Sequence, residues 1–324
     1  MPPSKCISSR LQVTEAIASD SVESTRLVSL YLFFTLGSKY RHPRKLCYTG
    51  NMYLGVDIGG TKTLVAVLSD DGIICEQQKF ATPKTYTEFI NELGKVIQTF
   101  EAKDFRAAGV AIPGRVDRVH GIGRRFGNLS WKDVPIQHDV ERVAHCPVII
   151  ENDANLAGLS EAMLLKRSHQ KVLYITVSTG IGTGFIVNQK IDPSLADSEG
   201  GNLMLQRGDK LVKWESFASG KAIAARYGKQ ASEISDQKTW QAIARDLAIG
   251  IIDLLAITQP DVVVIGGGVG HYLDRFDKYL VEELQNLTNP MLPIPPVQEA
   301  QRPDEAVIYG CYDVVKATYG RHTH

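Results

Sequence analysis

In "YLGVDIGGTKT" a single carboxylate, Asp57, stands just ahead of a glycine pair, a threonine and a lysine. Gly59 and Gly60 let backbone amides approach an anion with no side chain in the way, and Thr61 and Lys62 add a hydroxyl and a positive charge. Such a turn suits a phosphate. The same residues also suffice for a plain tight hairpin, because short glycine motifs recur by chance. A second glycine turn, with Thr179, Gly180, Gly182 and Gly184, lies between the apolar runs of "KVLYITVSTGIGTGFIVNQK", and Gly266, Gly267 and Gly268 follow "DVVVI". Two glycine hairpins on opposite walls of a cleft, with a hinge to close it, suit phosphoryl transfer, where positioning and charge neutralisation supply most of the catalysis.

These turns need strands to hold them. Leu54, Val56 and Ile58 predict a strand before the first turn, "TLVAVLSDDG" a second and "GIICEQQKF" a third. In "TYTEFINELGKVIQTFEA", Phe89, Leu93, Val96, Ile97 and Phe100 fall on one helical face. "RAAGVAIPGRVD" reads as an apolar strand broken by Pro-Gly, and "CPVIIENDANLAGLSEAML" as a strand running into a helix. By itself "NDAN" reads as an Asx helix cap. The order recurs from Lys171, with helical segments expected over residues 214–227 and 239–258 and a short strand in "DVVVIGGGVG". The expectation is a two-lobed α/β protein whose halves are duplicated mixed sheets flanked by helices.

The 324 residues leave room for two domains of ordinary size. Thirty-six basic residues balance thirty-six acidic ones, so no global field favours nucleic acid or an anionic membrane as a partner. Cys6, Cys47, Cys75, Cys146 and Cys311 are dispersed, with no CxC or CxxC pair, which fits a reducing cytoplasm and signals neither zinc nor disulfides. His120, His138, His145, His169 and His271 show no metal-ligand spacing, and Arg115, Arg124 and Arg125 could meet phosphates or simply face solvent. Residues 1–51 are rich in Ser and Arg; their apolar "LVSLYLFFTLG" is too short to span a bilayer, and the basic stretch behind it is not a cleavage site. Folding, and translation with it, is expected to start at Met52, with residues 1–51 a disordered or non-native extension.

Six ordered segments, "LGVDIGGTKT", "AIPGRVD", "GNLSW", "ENDANLAGLSEA", "STGIGTGFIV" and "VVVIGGGVG", resemble the ROK family of sugar kinases and repressors, within the actin-like ATPase (ribonuclease H-like) superfamily. The resemblance covers roughly residues 52–320 and implies Mg²⁺ and ATP as cofactors and a small sugar as substrate. Asp57 resembles the family's acidic residue that faces the nucleotide phosphates and positions Mg²⁺, often through water. Gly59, Gly60, Thr61 and Lys62 resemble its first phosphate loop, Thr179, Gly180, Gly182 and Gly184 its second, and Gly266, Gly267 and Gly268 its adenosine loop. Asp153 matches the catalytic base that takes a proton from the attacking hydroxyl. Asn128 and Asn152 resemble ligands to sugar hydroxyls. By the same resemblance residues 52–160 form an N-terminal lobe and residues 161–324 a C-terminal lobe whose last helix can return to the first. A homodimer is expected on this ground alone.

One segment departs from the family pattern. Most members have ExGH, a zinc loop of the CxCGxxGC type and a second sugar-binding glutamate; here the stretch is "SEGGNLMLQRGDKLVKWESFASG". Glu199 and Glu215 match the two glutamates, Asn202 stands where the histidine is expected, and no cysteine occurs between Cys146 and Cys311. Zinc is therefore expected to be absent, with packing around Leu203, Leu205 and Trp214 holding the glutamates. The expected activity is transfer of the γ-phosphoryl of Mg-ATP to the 6-hydroxyl of a hexose, glucose first. An N-acetylglucosamine or N-acetylmannosamine kinase and a polyphosphate glucokinase stay open, as do a sugar-binding pseudo-kinase and a transcriptional regulator. The expected location is the cytoplasm.

Overall fold

The computed structural model describes residues 50–165, 168–302 and 305–320. The expectations for residues 1–51 therefore fall, apart from Gly50 and Asn51, outside the described residues, as do Cys6 and Cys47.

From its N-terminal end the chain runs β1 (Tyr53–Ile58), β2 (Lys62–Leu68), β3 (Ile74–Ala81), α1 (Tyr86–Thr99) and β4 (Ala107–Ile112). Then come β5 (Arg115–Asp117), β6 (Ile122–Phe126), β7 (Leu129–Val134), α2 (Ile136–Ala144), β8 (Val148–Asn152) and α3 (Asp153–Leu164). The second half holds β9 (Lys171–Val177), β10 (Ile181–Val187), β11 (Lys190–Ile191), β12 (Met204–Arg207), β13 (Lys210–Lys213), α4 (Glu215–Ala218) and α5 (Gly220–Tyr227). It ends with α6 (Gln237–Thr258), β14 (Val262–Gly266), α7 (Gly267–Gly270), α8 (Asp277–Leu287), β15 (Val297–Glu299) and α9 (Ala306–Tyr319).

The expected duplication is visible in the sheets. The first has the order β3-β2-β1-β4-β8 and the second β11-β10-β9-β14-β15. In both, three antiparallel strands come first and two further strands add in parallel. Every residue of β4 and of β14 is buried, as the interior strand of a covered parallel pairing requires. The polar face of "CEQQKF" falls on β3, at the edge of the first sheet, where charge and amides discourage further pairing. Thr85 caps α1, accepting from the Glu88 amide and donating to the Glu88 carboxylate at 2.7 Å. That helix buries Phe89, Ile90, Leu93, Val96 and Ile97.

Two helices join the sheets. α3 follows the first sheet's β8 but packs on β9 and β10 of the second, while α9 follows β15 and lies on β1 and β4 of the first. α3 thus runs across the 160/161 position at which the lobe boundary was expected. The two helices pack against each other through Gly310 of α9, and Gly109 of β4 lets α9 lie close on the first sheet. A Cβ at Gly310 would overlap the Leu156 carbonyl oxygen and lie 2.8 Å from Leu156 Cα; one at Gly109 would lie 2.7 Å from Cys311 Cα. Neither neighbour is a flexible side chain. Gly310→Ala is expected to destabilise the fold by about 3 kcal/mol or more, read as a lower urea midpoint, since backbone cannot give way to one methyl group. An unchanged midpoint would show that the crossing has slack.

Three elements differ from expectation. Residues 214–227 split at Ser219, whose extended backbone and side chain, accepting from Ala222 N at 3.3 Å, start α5 afresh. The strand in "DVVVIGGGVG" stops at Gly266, and Gly267 already begins a helical turn. Residues 115–134 form a small three-stranded sheet, β5-β6-β7, which the charge-rich sequence conceals. Val116, Phe126 and Trp131 are buried in it, and Trp131 meets Phe126 and Tyr86 edge-on and Phe89 at a tilt, so an aromatic cluster shared with α1 holds the sheet where apolar alternation is weak.

Candidate active site

The first glycine turn closes with Gly59 N–H donating to Lys62 O at 3.0 Å, and a Cβ at Gly59 would lie 2.6 Å from that oxygen. Thr82 braces it, its hydroxyl donating to Gly59 O at 2.8 Å and its amide to Thr61 O at 3.0 Å. Gly60, Thr61 and Lys62 are exposed at the tip. Asn128, in the β6–β7 turn, stands beside this loop: its Cβ would be 3.6 Å from a Cβ built on Gly60. Asp57 sits one residue before the end of β1, between Leu64 of β2 and Ala111 of β4. Burial pushes its carboxyl up to about 6, with the charge of Lys79 opposing.

The second turn is built alike, Ser178 N–H donating to Gly180 O at 2.9 Å, with Thr179 exposed. The glycines behind it have a packing task. Side chains at Gly182 and Gly184 would lie 2.9 Å from Ala154 Cβ and 2.7 Å from Ala154 O, so their absence admits the first turn of α3 to the sheet. Gly267, at φ +80°, would put a Cβ 2.7 Å from Val177 O, whereas a Cβ at Gly268 would meet no described atom within 4 Å. Gly266 and Gly267 bring α7 close to β9, and Gly268 leaves open space.

Asp153 and Asn152 occupy the β8–α3 junction. The Asn152 amide oxygen accepts from Ala154 N at 2.9 Å and Asn155 N at 3.2 Å, and its amide nitrogen donates to Gly114 O at 3.1 Å. The Asx cap is therefore real, and it belongs to Asn152, with one N–H of that amide left over from these bonds. Asp153 accepts from Ala154 N at 2.8 Å. Its carboxyl is pushed up to about 7, first by burial, then by the negative charge of Asp57, with Glu199 adding to it. Asp57 and Glu199, both remote in sequence, thus act on the Asp153 carboxyl.

Glu199 precedes a short 3-10 turn, Gly200–Asn202, that lies on β10 through Gly200 N–H donating to the Thr183 hydroxyl at 3.1 Å. Desolvation raises the Glu199 carboxyl above its usual range, Glu215 and Asp197 raise it further, and Arg115 and Lys213 oppose them. Glu215 lies against the second turn, its Oε2 2.8 Å from where a Gly180 Cβ would be. Asn202 is exposed, and its backbone N–H donates to Glu199 O at 2.9 Å. Between the two glutamates, β12 and β13 form a hairpin. Leu205 and Trp214 are buried, and Leu203 is partly so. Trp214 Nε1 donates to Asp246 O at 3.0 Å, while Arg207, at 3.0 Å, and Arg226 pair with the Asp246 carboxylate.

A cavity of about 210 Å³ opens beside Asn152 and Glu199, with Gly114, Arg115 and Arg118 on its wall. A larger surface hollow of about 420 Å³, beside α1, contains none of these residues. Sequence reasoning passed over Arg118, Glu151, Asn155 and Asp197, which join directly around the cavity. Glu151 had a local signal, a carboxylate closing the apolar run "PVII"; Arg118 had none. Among the described residues no group of three or more His, Cys, Asp or Glu side chains is arranged to hold a metal ion. Mg²⁺ asks for less, one or two carboxylates with substrate phosphates and water, and the desolvated Asp57 carboxylate fits that role.

Two like-ordered sheets, each opening on a glycine turn and linked by two crossing helices, make this an actin-like ATPase fold. A ROK family glucokinase from Streptomyces griseus, solved with glucose and AMPPNP, superimposes with a TM-score of 0.70 at 26% identity, over 82% of this chain and 99% of that one. The chain belongs to the ROK family, whose model matches residues 53–318. An N-acetylmannosamine kinase of Escherichia coli O127:H6 is 30% identical over 266 residues, 71% of this chain and 88% of that protein. A glucokinase of Streptomyces coelicolor is 26% identical over 259 residues, 67% and 81% of the respective chains.

Proposed function

We propose that this protein is a hexose kinase that transfers the γ-phosphoryl of Mg-ATP to the 6-hydroxyl of a hexose, with glucose as the first candidate. The observation that carries the reading is Asp153 at the head of α3, its carboxyl raised to about 7 by burial and by the charges of Asp57 and Glu199. A carboxylate poised there has the basicity to take a hydroxyl proton near neutral pH. As the sugar oxygen bonds to the γ-phosphorus, the bond from that phosphorus to the oxygen bridging to the β-phosphate breaks, ADP leaves, and the proton passes to Asp153. Magnesium, when bound, neutralises charge on the β- and γ-phosphates. Asp57 would hold it, directly or through water. Gly59 to Lys62 and Thr179 to Gly184 would cradle the phosphates, and the open space at Gly268 would receive the nucleoside. Asn128, Asn152, Glu199, Asn202 and Glu215 are the hydroxyl-binding candidates.

A second reading, an N-acetylhexosamine kinase, is favoured by the 30% identity to a protein named N-acetylmannosamine kinase. The same assay decides both. Purified protein is incubated with Mg-ATP, and separately with polyphosphate, against glucose, mannose, fructose, N-acetylglucosamine and N-acetylmannosamine. Glucose 6-phosphate from ATP is the expected product. An N-acetylated product as the dominant one would select the second reading, and polyphosphate as the better donor would replace ATP. Sugar binding without product from any pair would leave a sensor in place of an enzyme. Among the described residues no helix is long and apolar enough to cross a membrane; a cytoplasmic site of action is proposed on the dispersed cysteines, which fit a reducing compartment.

A further inference from the structure

Glu151 is the residue before last in β8, and its side chain is 8% exposed. A buried carboxylate needs a partner, and Arg118, the residue after β5, supplies a two-pronged one: Nε to Oε2 at 2.7 Å and Nη2 to Oε1 at 2.5 Å. The same guanidinium continues outward, Nη1 to Asp197 Oδ1 at 2.5 Å and Nη2 to Ala196 O at 3.0 Å. From the other side Asn155, in the first turn of α3, donates to Glu151 Oε1 at 3.0 Å and to Ala196 O at 2.8 Å. Glu151 also accepts from Asn152 N at 2.7 Å. Asn152 and Asp153 follow it directly in the chain, and Asp197 lies two residues before Glu199.

The segment that delivers Glu199 is otherwise held at its ends, by Asp192 N–H to Phe185 O at 2.9 Å and by Gly200 N–H to the Thr183 hydroxyl. Its middle is fastened by Arg118 and Asn155. We infer that Arg118 is a positioning residue: through Glu151, Ala196 and Asp197 it holds the Glu199 segment in register with Asp153, so that the group gripping the sugar and the group deprotonating it move as one. This rests on the hexose-kinase reading above. The register matters because a displacement of about 1 Å between a substrate grip and a reacting group can cost about a hundredfold in rate.

Arg118→Met would strand a buried carboxylate and can unfold the protein, so the test uses gentler changes. Arg118→Lys keeps the charge and loses the fork; Asp197→Asn, at a side chain 62% exposed, cuts the outer arm and leaves the Glu151 pair whole. Steady-state kinetics of the full chain with glucose and Mg-ATP are compared with amide hydrogen exchange. The expected result is a glucose KM raised about tenfold by Arg118→Lys and about threefold by Asp197→Asn, with the ATP KM within about twofold. Exchange over residues 195–199 should quicken about tenfold in Arg118→Lys and stay unchanged in β9 and β14. Equal changes in both KM values, no change in either, or unaltered exchange over residues 195–199 would overturn the inference. Should the wild-type protein phosphorylate no hexose, the kinase reading fails by itself, and the exchange comparison alone then decides whether the tie exists.

Discussion

Asp153→Asn is expected to lower kcat by about 10²- to 10⁴-fold while sugar affinity, measured calorimetrically without nucleotide, stays close to wild type. The amide keeps the shape of the carboxyl and its place at the head of α3 but cannot take the proton. Full turnover by this variant would remove the base assignment. The pH dependence follows from the same group. Asp153 must be ionised to act, and its carboxyl is pushed up to about 7, so kcat/KM of the wild-type protein should rise with pH through about 7 and level above it. The residual rate of the asparagine variant should lack that limb.

Stability should move in the opposite sense. The Asp153 carboxyl rises from 3.8 to about 7 on folding, so between those values the folded protein keeps a proton that the unfolded chain releases. The stability this contributes is complete below the unfolded value and is lost as pH rises through about 7. Asp153→Asn is therefore expected to be the more stable protein, by about 1–2 kcal/mol above pH ~8, and close to wild type near pH ~4. Chemical denaturation at the two pH values measures the difference. A variant less stable than wild type at the higher pH would mean that the Asp153 carboxylate is better satisfied than its burial implies.

Asp57→Asn carries the second large effect, a loss of about 10²- to 10³-fold in kcat/KM for Mg-ATP with a higher magnesium requirement and unaltered sugar binding. It has a further readout. The Asp57 charge helps hold the Asp153 carboxyl up, so removing it should shift the acid limb of the pH profile to lower pH. A limb that stays in place would show that the two carboxylates do not sense each other during turnover. An unchanged magnesium requirement would take Asp57 out of the metal's surroundings.

Much of this architecture is legible in the sequence because it is written locally. Apolar runs on either side of "DIGGTK" and "STGIGTG" predict two hairpins, and the strands found are β1 with β2 and β9 with β10. Phe89, Leu93, Val96 and Ile97 predict the buried face of α1. Glycine spacing and period-two alternation depend on neighbouring residues, so one sequence suffices to read them. The sheet β5-β6-β7 was hidden because its strands are short and charged, and what holds them is an aromatic contact with α1. The split at Ser219 was hidden because a serine is a cap only where the backbone before the helix is extended.

By itself, then, the sequence determined the order of the strands and turns, the glycine hairpins, the carboxylates at their edges and the family they resemble. Which strand neighbours which, and how α3 and α9 cross between the sheets, was decided by tertiary contacts among residues far apart in the chain. So were the packing role of Gly182 and Gly184, the Arg118–Glu151–Asp197 tie and the raised carboxyl of Asp153. The physical reason is common to all three. A side chain's hydrogen-bond partners, its burial and the charges that act on it are properties of its surroundings, and here those surroundings are assembled from both halves of the chain.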